Sequence, residues 1–332
     1  MAVQKKINYN YCLDMLKGIA CFCVVCMHCE FPGKLGIMVQ ALSRFCVPFF
    51  FMVSGYFSFY PMHMNASNIY NKVKHILKLT AEACICNVIY FLIQYFIGIN
   101  STFEISMEGI LIFLLFNQPS ILMGSYWFLF ALIYVYIIYI FIIKYNLTKT
   151  AFISIPFLLC CYIVLAQGLH LAGYKIPNYI YRNFLIEGFP YFTLGYYLHS
   201  KQDKIQINNK ALIIAIIVST VMCLGERSWL GRDFGVNICT IPQVIAIFLF
   251  GIKNPLCGKK LSNIGKKYSM YVYIFHPVIW RLLNIFYIHI SINENQIALY
   301  IMPIATFLGS LLLAMIYRSV ITLGYSETDK SD

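Results

Sequence analysis

Apolar runs close to 20 residues long recur along almost the whole chain, and no other feature constrains the fold as much. A helix needs roughly 20 apolar residues to cross a hydrocarbon core. Inside lipid the backbone N–H and C=O groups must pair within their own segment, so such runs fold as helices. Taken in order, the runs predict ten spans: 13–31, 38–60, 73–97, 124–143, 151–171, 184–200, 211–225, 237–252, 268–290 and 297–323. A further apolar stretch, 105–117, is too short to cross and reads as re-entrant or interfacial. The expected class is an all-α, polytopic membrane protein.

Composition agrees. Charged residues make up 11% of the 332 and hydrophobic residues 60%, with a mean hydropathy of +0.72. A soluble domain carries about 25% charged residues. No soluble domain of useful size fits between the runs, and no internal repeat stands out. Residues 1–324 therefore read as one integral-membrane domain and 325–332 as a short polar tail. The first run lacks a small-residue cleavage site, so no signal peptide is expected.

A net charge of +12 would suggest nucleic acid in a soluble protein. Here the distribution of the charge explains it. With a cytoplasmic N-terminus, 17 of the 25 Lys and Arg residues fall in inside segments and five outside. The other three, Lys17, Arg44 and Arg281, lie within spans. Positive charge concentrates on the cytoplasmic side of membrane proteins, so both termini are expected there, in a cytoplasmic membrane, with lipid and not nucleic acid as surroundings.

Thirteen cysteines look at first like a metal or disulfide framework. Cys21, Cys23, Cys26 and Cys29 crowd around His28, but on a helix their directions diverge. The spacing matches no usual zinc pattern. Free cysteine packs as a small hydrophobe, and no metal is expected.

The first span, CLDMLKGIACFCVVCMHCEF, holds Asp14, Lys17, His28 and Glu30. An ionisable side chain at mid-membrane costs about 3 kcal/mol or more and marks a functional site by default. Lys17 and His28 are eleven steps apart, which returns them to within roughly 20° on a helix, about 16 Å apart along its axis. Asp14 is three residues from Lys17 and able to pair with it. Pro32 and Gly33 can turn the chain into the second span, where Arg44 lies two turns below the outer end, at a depth similar to His28. A hairpin would bring the two together. The rival reading is an arginine snorkelling to the headgroups.

Lys17, a ten-residue gap and His28, followed by RFCVPFFFMVSGYF at 44–57, SYWFLFALIYVY at 125–136, GFPYFTLGYYL at 188–198 and YSMYVYIFHPVIW at 268–280, together resemble acyltransferase family 3. The resemblance runs over nearly the whole chain. It implies about ten spans in a bacterial inner membrane. It further implies transfer of an acyl group, usually acetyl, from cytoplasmic acyl-CoA to a hydroxyl of a glycan or other acceptor. Some members carry a fused extracytoplasmic hydrolase-like domain; this chain would act as a stand-alone transferase.

Under that resemblance His28 serves as the general base for the acceptor hydroxyl or as a covalent acyl carrier; the sequence does not separate the two. Lys17 either touches the CoA or pairs with Asp14. Lys72, Lys74 and Lys78 start the third span where CoA phosphates would arrive, or are topological charge, as are Lys259, Lys260, Lys266 and Lys267. Arg44 is placed to steady an oxyanion or the acceptor. Ser54 and Gly55 read as helix packing and then as lining for a pantetheine channel. No Gly-x-Ser-x-Gly elbow surrounds Ser54. Glu187 is expected to orient His28 or bind acceptor hydroxyls. Trp127 stacks on a sugar or belongs to an interfacial belt. The outer stretch 225–234, with Glu226, Arg227, Trp229, Arg232 and Asp233, is a candidate glycan-binding loop, and His276 is expected to be structural or channel-lining. A glycan or small-molecule exporter is the alternative in another functional class, although the internal repeats of such proteins are not evident.

Overall fold

A computed structural model of the chain describes residues 9–59, 66–98, 106–119, 122–232 and 234–328. Among these residues every regular element is helical and none is a strand. The first pass is α1 (Tyr11–His28). The chain returns through α2 (Gly33–Ser43) and α3 (Cys46–Tyr56) and goes out again on α4 (Ala66–Phe96). A short helix α5 (Met107–Phe116) precedes α6 (Trp127–Lys144). Then come α7 (Thr148–Ile163), α8 (Leu169–Leu171), α9 (Asn178–Tyr181) and α10 (Phe189–Ser200). The last part holds α11 (Asn209–Leu230), α12 (Thr240–Lys253), α13 (Ser262–Lys267), α14 (Ser269–His289) and α15 (Gln296–Thr328). Single π-helical turns at Val164–Gly168 and Phe184–Gly188 lead into α8 and α10.

Eight segments are long and apolar enough to cross a membrane: α1, α2 with α3, the Ile69–Phe96 part of α4, Gly124–Lys144, Thr148–Leu171, α11, α14 and the Gln296–Ile321 part of α15. Two of the ten expected spans, 184–200 and 237–252, are shorter. Both are sunk into the bundle. Most of α10 is buried, including Tyr191, Phe192 and Tyr196, and α12 buries Val244, Phe248 and Leu249. Helices sheathed by other helices are not held to the lipid thickness as exposed ones are. The α5 segment has no buried residue and at ten residues is too short to cross, in keeping with an interfacial position. The tail expected at 325–332 is helical through Thr328; residues 329–332 lie outside the described set.

The first helix is the axis of the molecule. Asn10 caps it, its side chain accepting from the Leu13 N–H at 2.8 Å, and Asp14 in the first turn suits the positive helix end. It packs against α2, α3, α12, α13, α14 and α15. One approach sets its angle. A Cβ on Gly265 would lie 1.7 Å from the Asp14 carbonyl oxygen and 2.7 Å from the Gly18 nitrogen. Backbones this close tolerate only glycine. From that contact α13 and α14 run alongside α1: Gly265 lies against Asp14 and Gly18, Cys21 Sγ donates to the Ser269 carbonyl at 3.2 Å, and the His28 and His276 rings meet.

A second close pair joins α3 to α10. Cβ atoms on Gly55 and Gly195 would lie 1.9 Å from the Phe192 and 2.0 Å from the Met52 carbonyl oxygens. The single helix expected over 38–60 is two. It breaks at Arg44–Phe45, four residues before Pro48, whose ring excludes the Arg44 carbonyl from a helical hydrogen bond. The expected outer loop 225–234 is helical through Leu230. There Glu226 is structural, accepting from the Ile238 and Cys239 N–H groups at 2.7 and 2.8 Å and from Gln167 at 2.9 Å. Asp233 lies outside the described residues.

Gly265→Val is expected to destabilise the protein by about 3 kcal/mol or more, since overpacking a tight contact costs at least 1–3 kcal/mol. A thermal melt in detergent reads this as a lower midpoint. A midpoint equal to that of the wild type contradicts the close-approach account.

Candidate active site

His28 is the last residue of α1 and lines a cavity of 280 Å³ together with Ser125, Arg182, Pro277, Trp280 and Arg281. The wall is held by hydrogen bonds from distant parts of the chain. Tyr273 of α14 donates to the Ser125 carbonyl, and Tyr126 donates to the Ile274 carbonyl at 2.8 Å. Asn87 of α4 accepts from the Met123 N–H at 3.2 Å. Asn117 bridges the same segment to the start of the Phe184–Gly188 turn: its amide donates to the Trp127 carbonyl at 3.1 Å and accepts from the Phe184 N–H at 2.7 Å. Its left-handed backbone (φ 50°) suits asparagine.

The His28 and His276 rings are neighbours, 5.3 Å between centroids and tilted by 35°. His276 is fully buried. Its Nδ1 faces the Tyr273 carbonyl at 2.8 Å and the Val272 carbonyl at 3.3 Å. Two acceptors at Nδ1 assign the proton there and make Nε2 the basic nitrogen. Nε2 has no hydrogen-bond partner among the described residues. Pro277 follows directly; four residues before it, Tyr273 has its carbonyl released from the helix ladder, which is the carbonyl His276 takes.

The cavity is cationic. The charges of Arg182, Arg44 and Arg281 all act on His28. The Arg182 guanidinium sits over the Trp127 ring at 4.8 Å and that of Arg281 over the Tyr90 ring at 5.4 Å. Arg44 reaches the site less directly. It donates to Gln40 at 2.9 Å, and Gln40 donates to the Cys26 and Met27 carbonyls at 3.2 and 3.0 Å. The hairpin thus brings Arg44 to the end of α1, behind His28 and outside the cavity lining. Glu187 is buried in the π-helical turn, within reach of the Arg182 and Arg44 charges. A Cβ on Gly235 would lie 3.5 Å from Glu187 Oε2 and 2.6 Å from the Tyr162 hydroxyl. Trp127 is 2% exposed, so its ring faces the bundle and Arg182, which removes it from a headgroup belt. Arg232 is exposed and sits over Phe234 at 4.9 Å; it is not one of the residues lining the cavity.

The opposite end of α1 carries the other expected residues. Lys17 pairs with Asp14, and the Tyr9 hydroxyl donates to the same carboxylate. Lys266 and Lys259 lie over the Tyr9 and Tyr11 rings at 4.2 and 5.6 Å, so part of the late basic cluster joins the start of α1. Lys72 donates to the Phe57 carbonyl at 2.7 Å, just past the end of α3, Lys74 sits over Tyr70, and Lys78 is exposed. Ser54 is turned inward on its own helix, donating to the Phe50 carbonyl at 2.9 Å. The thirteen cysteines are free thiols, and no group of metal-binding residues occurs among the described residues.

The site therefore unites His28 with residues that sequence reasoning left aside. From the sequence, His276 is expected to be structural or channel-lining, Arg281 counts only as a charge within a span, Arg182 only as an outer-segment charge, and Ser125 only as the first residue of a motif. The available signal was the number of ionisable residues in apolar runs: Arg281 was on that count, five residues after His276 in the same span.

No curated protein and no solved structure matches the chain. A family model, described as an acyltransferase domain, matches residues 10–317. That match covers nearly the whole helical bundle and both histidines, and the chain belongs to acyltransferase family 3.

Proposed function

We propose that this membrane acyltransferase moves a short acyl group, acetyl by preference, from acyl-CoA to a hydroxyl of a glycan or lipid-linked sugar at the cavity of His28. The observation that carries the reading is the histidine itself: a helix-terminal imidazole opening on a cavity, backed by a second imidazole whose basic nitrogen has no partner among the described residues. His28 takes the proton of the acceptor hydroxyl as the C–O bond forms at the thioester carbon. The C–S bond then breaks, and the imidazolium returns that proton to the leaving thiolate of CoA. Alternatively His28 holds the acyl group between two half-reactions. Ser125 Oγ, buried without a partner among the described residues, is available to donate to the thioester oxygen as it gains charge.

The two ends of α1 suit the two reactants. Lys17, Lys259 and Lys266 gather at one end and offer charge to CoA phosphates, with Lys72, Lys74 and Lys78 on the start of α4. The stripe from Lys17 to His28, about 16 Å, is comparable to an extended pantetheine arm. The excess of Lys and Arg supports a cytoplasmic Lys17 end and cytoplasmic termini, and on that topology the acceptor meets the His28 end at the outer face of an inner membrane. Glu187, Trp127 and Arg232 remain acceptor-side candidates, with Trp127 acting through Arg182. An exporter has no observation of its own in the structure.

In membranes with matched expression, labelled acetyl-CoA is expected to label a glycan or lipid-linked product, and His28→Ala to lower this by about 100-fold or more, the range for loss of a general base. Labelling that survives the substitution removes His28 from the chemistry. His276→Asn is expected to lower kcat by about tenfold while KM holds, because it acts by positioning His28 and not by binding substrate. A change confined to KM contradicts that role.

A further inference from the structure

Arg182 and Arg281 open on the same cavity as His28. Aromatic faces support both guanidiniums, and such faces hold a cation without neutralising it. Among the described residues neither arginine forms an ion pair, and no carboxylate lines the cavity. Glu187 is within electrostatic reach of Arg182 but makes no ion pair with it, and its Oε2 has no hydrogen-bond partner among the described residues. Two partly desolvated cations in a membrane bundle are costly unless an anion pairs with them.

A transition-state oxyanion does not answer for both. It exists only during the chemical step, and one or two neutral donors meet its need. Before and after that step two guanidiniums would stay uncompensated. A permanent anion on a reactant pairs with them throughout binding. Guanidinium groups match carboxylate and phosphate oxygens in a fixed fork.

We infer that the cavity is a binding site for a permanent oxyanion, a carboxylate or phosphate, carried by one of the two reactants and held by Arg281 and Arg182. The inference rests on reading this cavity as the transfer site, and it narrows the substrate class. The anion has two sources: an acidic sugar or phosphosugar acceptor, or a dicarboxylic acyl group such as succinyl, which would then replace acetyl as the preferred group.

The test measures binding to the purified full chain in lipid nanodiscs, by ligand-dependent shift of the thermal midpoint, so it needs no turnover. One arm compares methyl glucuronoside with methyl glucoside. The other compares the S-succinyl and S-acetyl thioesters of N-acetylcysteamine, which lack the phosphates of CoA. The anionic member of one pair is expected to bind about tenfold more tightly, the scale of a charge-assisted hydrogen bond. The pair that shows it identifies the source. Arg281→Gln is expected to bring the ratio to about twofold or less, and Arg281→Lys to retain part of it; the ligand-free melt of each variant reports its fold. Equal affinities within both pairs overturn the inference. So does a preference that survives the double variant Arg182→Gln, Arg281→Gln. A charge preference without any acyl transfer would leave the oxyanion site standing and remove the transfer reading; transfer that is blind to charge would do the reverse.

Discussion

The close approach of Gly265 to the backbone of α1 is the contact on which the rest depends. It fixes α13, and through it α14, alongside the first helix. Two helices that start together and run in the same direction bring residues at equal heights together. Cys21 meets Ser269, and about two turns later His28 meets His276. Without that register the two imidazoles would lie on separate helices with no reason to meet. Tyr273 and Tyr126 then tie the wall of the cavity to the same helix, so the position of α14 sets both the second histidine and the segment carrying Ser125.

Charge is distributed along α1 in two different states. At one end Lys17 is matched by Asp14, and neighbouring lysines rest on tyrosine rings. At the other end arginines surround a neutral-capable imidazole and rest on Trp127 and Tyr90. The first state is stable by itself. The second gathers like charge where desolvation is expensive, which is the expected signature of a place that receives a ligand. The π-helical turn that carries Glu187 adds to this: such turns widen a helix by one residue and recur at functional sites.

Much of this was legible from residue spacing. Local geometry gave the Asp14–Lys17 pair, the turn at Pro32–Gly33, and the hairpin that brings Arg44 to the depth of His28. Each depends on residues close in sequence, where helical angles decide. The His28–His276 pair was not legible, because the two are 248 positions apart and only the contact of Gly265 with α1 sets their register. Arg182 was hidden in a connecting segment that reads as loop charge. Span length is least decisive in two places, since α10 and α12 are shorter than lipid-facing helices and are covered by their neighbours. In the stretch 225–234 polarity suggested a loop, whereas Glu226 spends its carboxylate on the N–H groups that begin α12.

The most direct measurement is a cryo-electron microscopy structure of the protein with a thioether analogue of acetyl-CoA, which cannot transfer its acyl group. The account predicts the acyl carbon in the cavity beside the His28 ring, the pantetheine arm along the Lys17–His28 face of α1, and the phosphates among the lysines at its start. An analogue bound with its acyl end away from His28, or with its phosphates at the Arg182–Arg281 end, would contradict it.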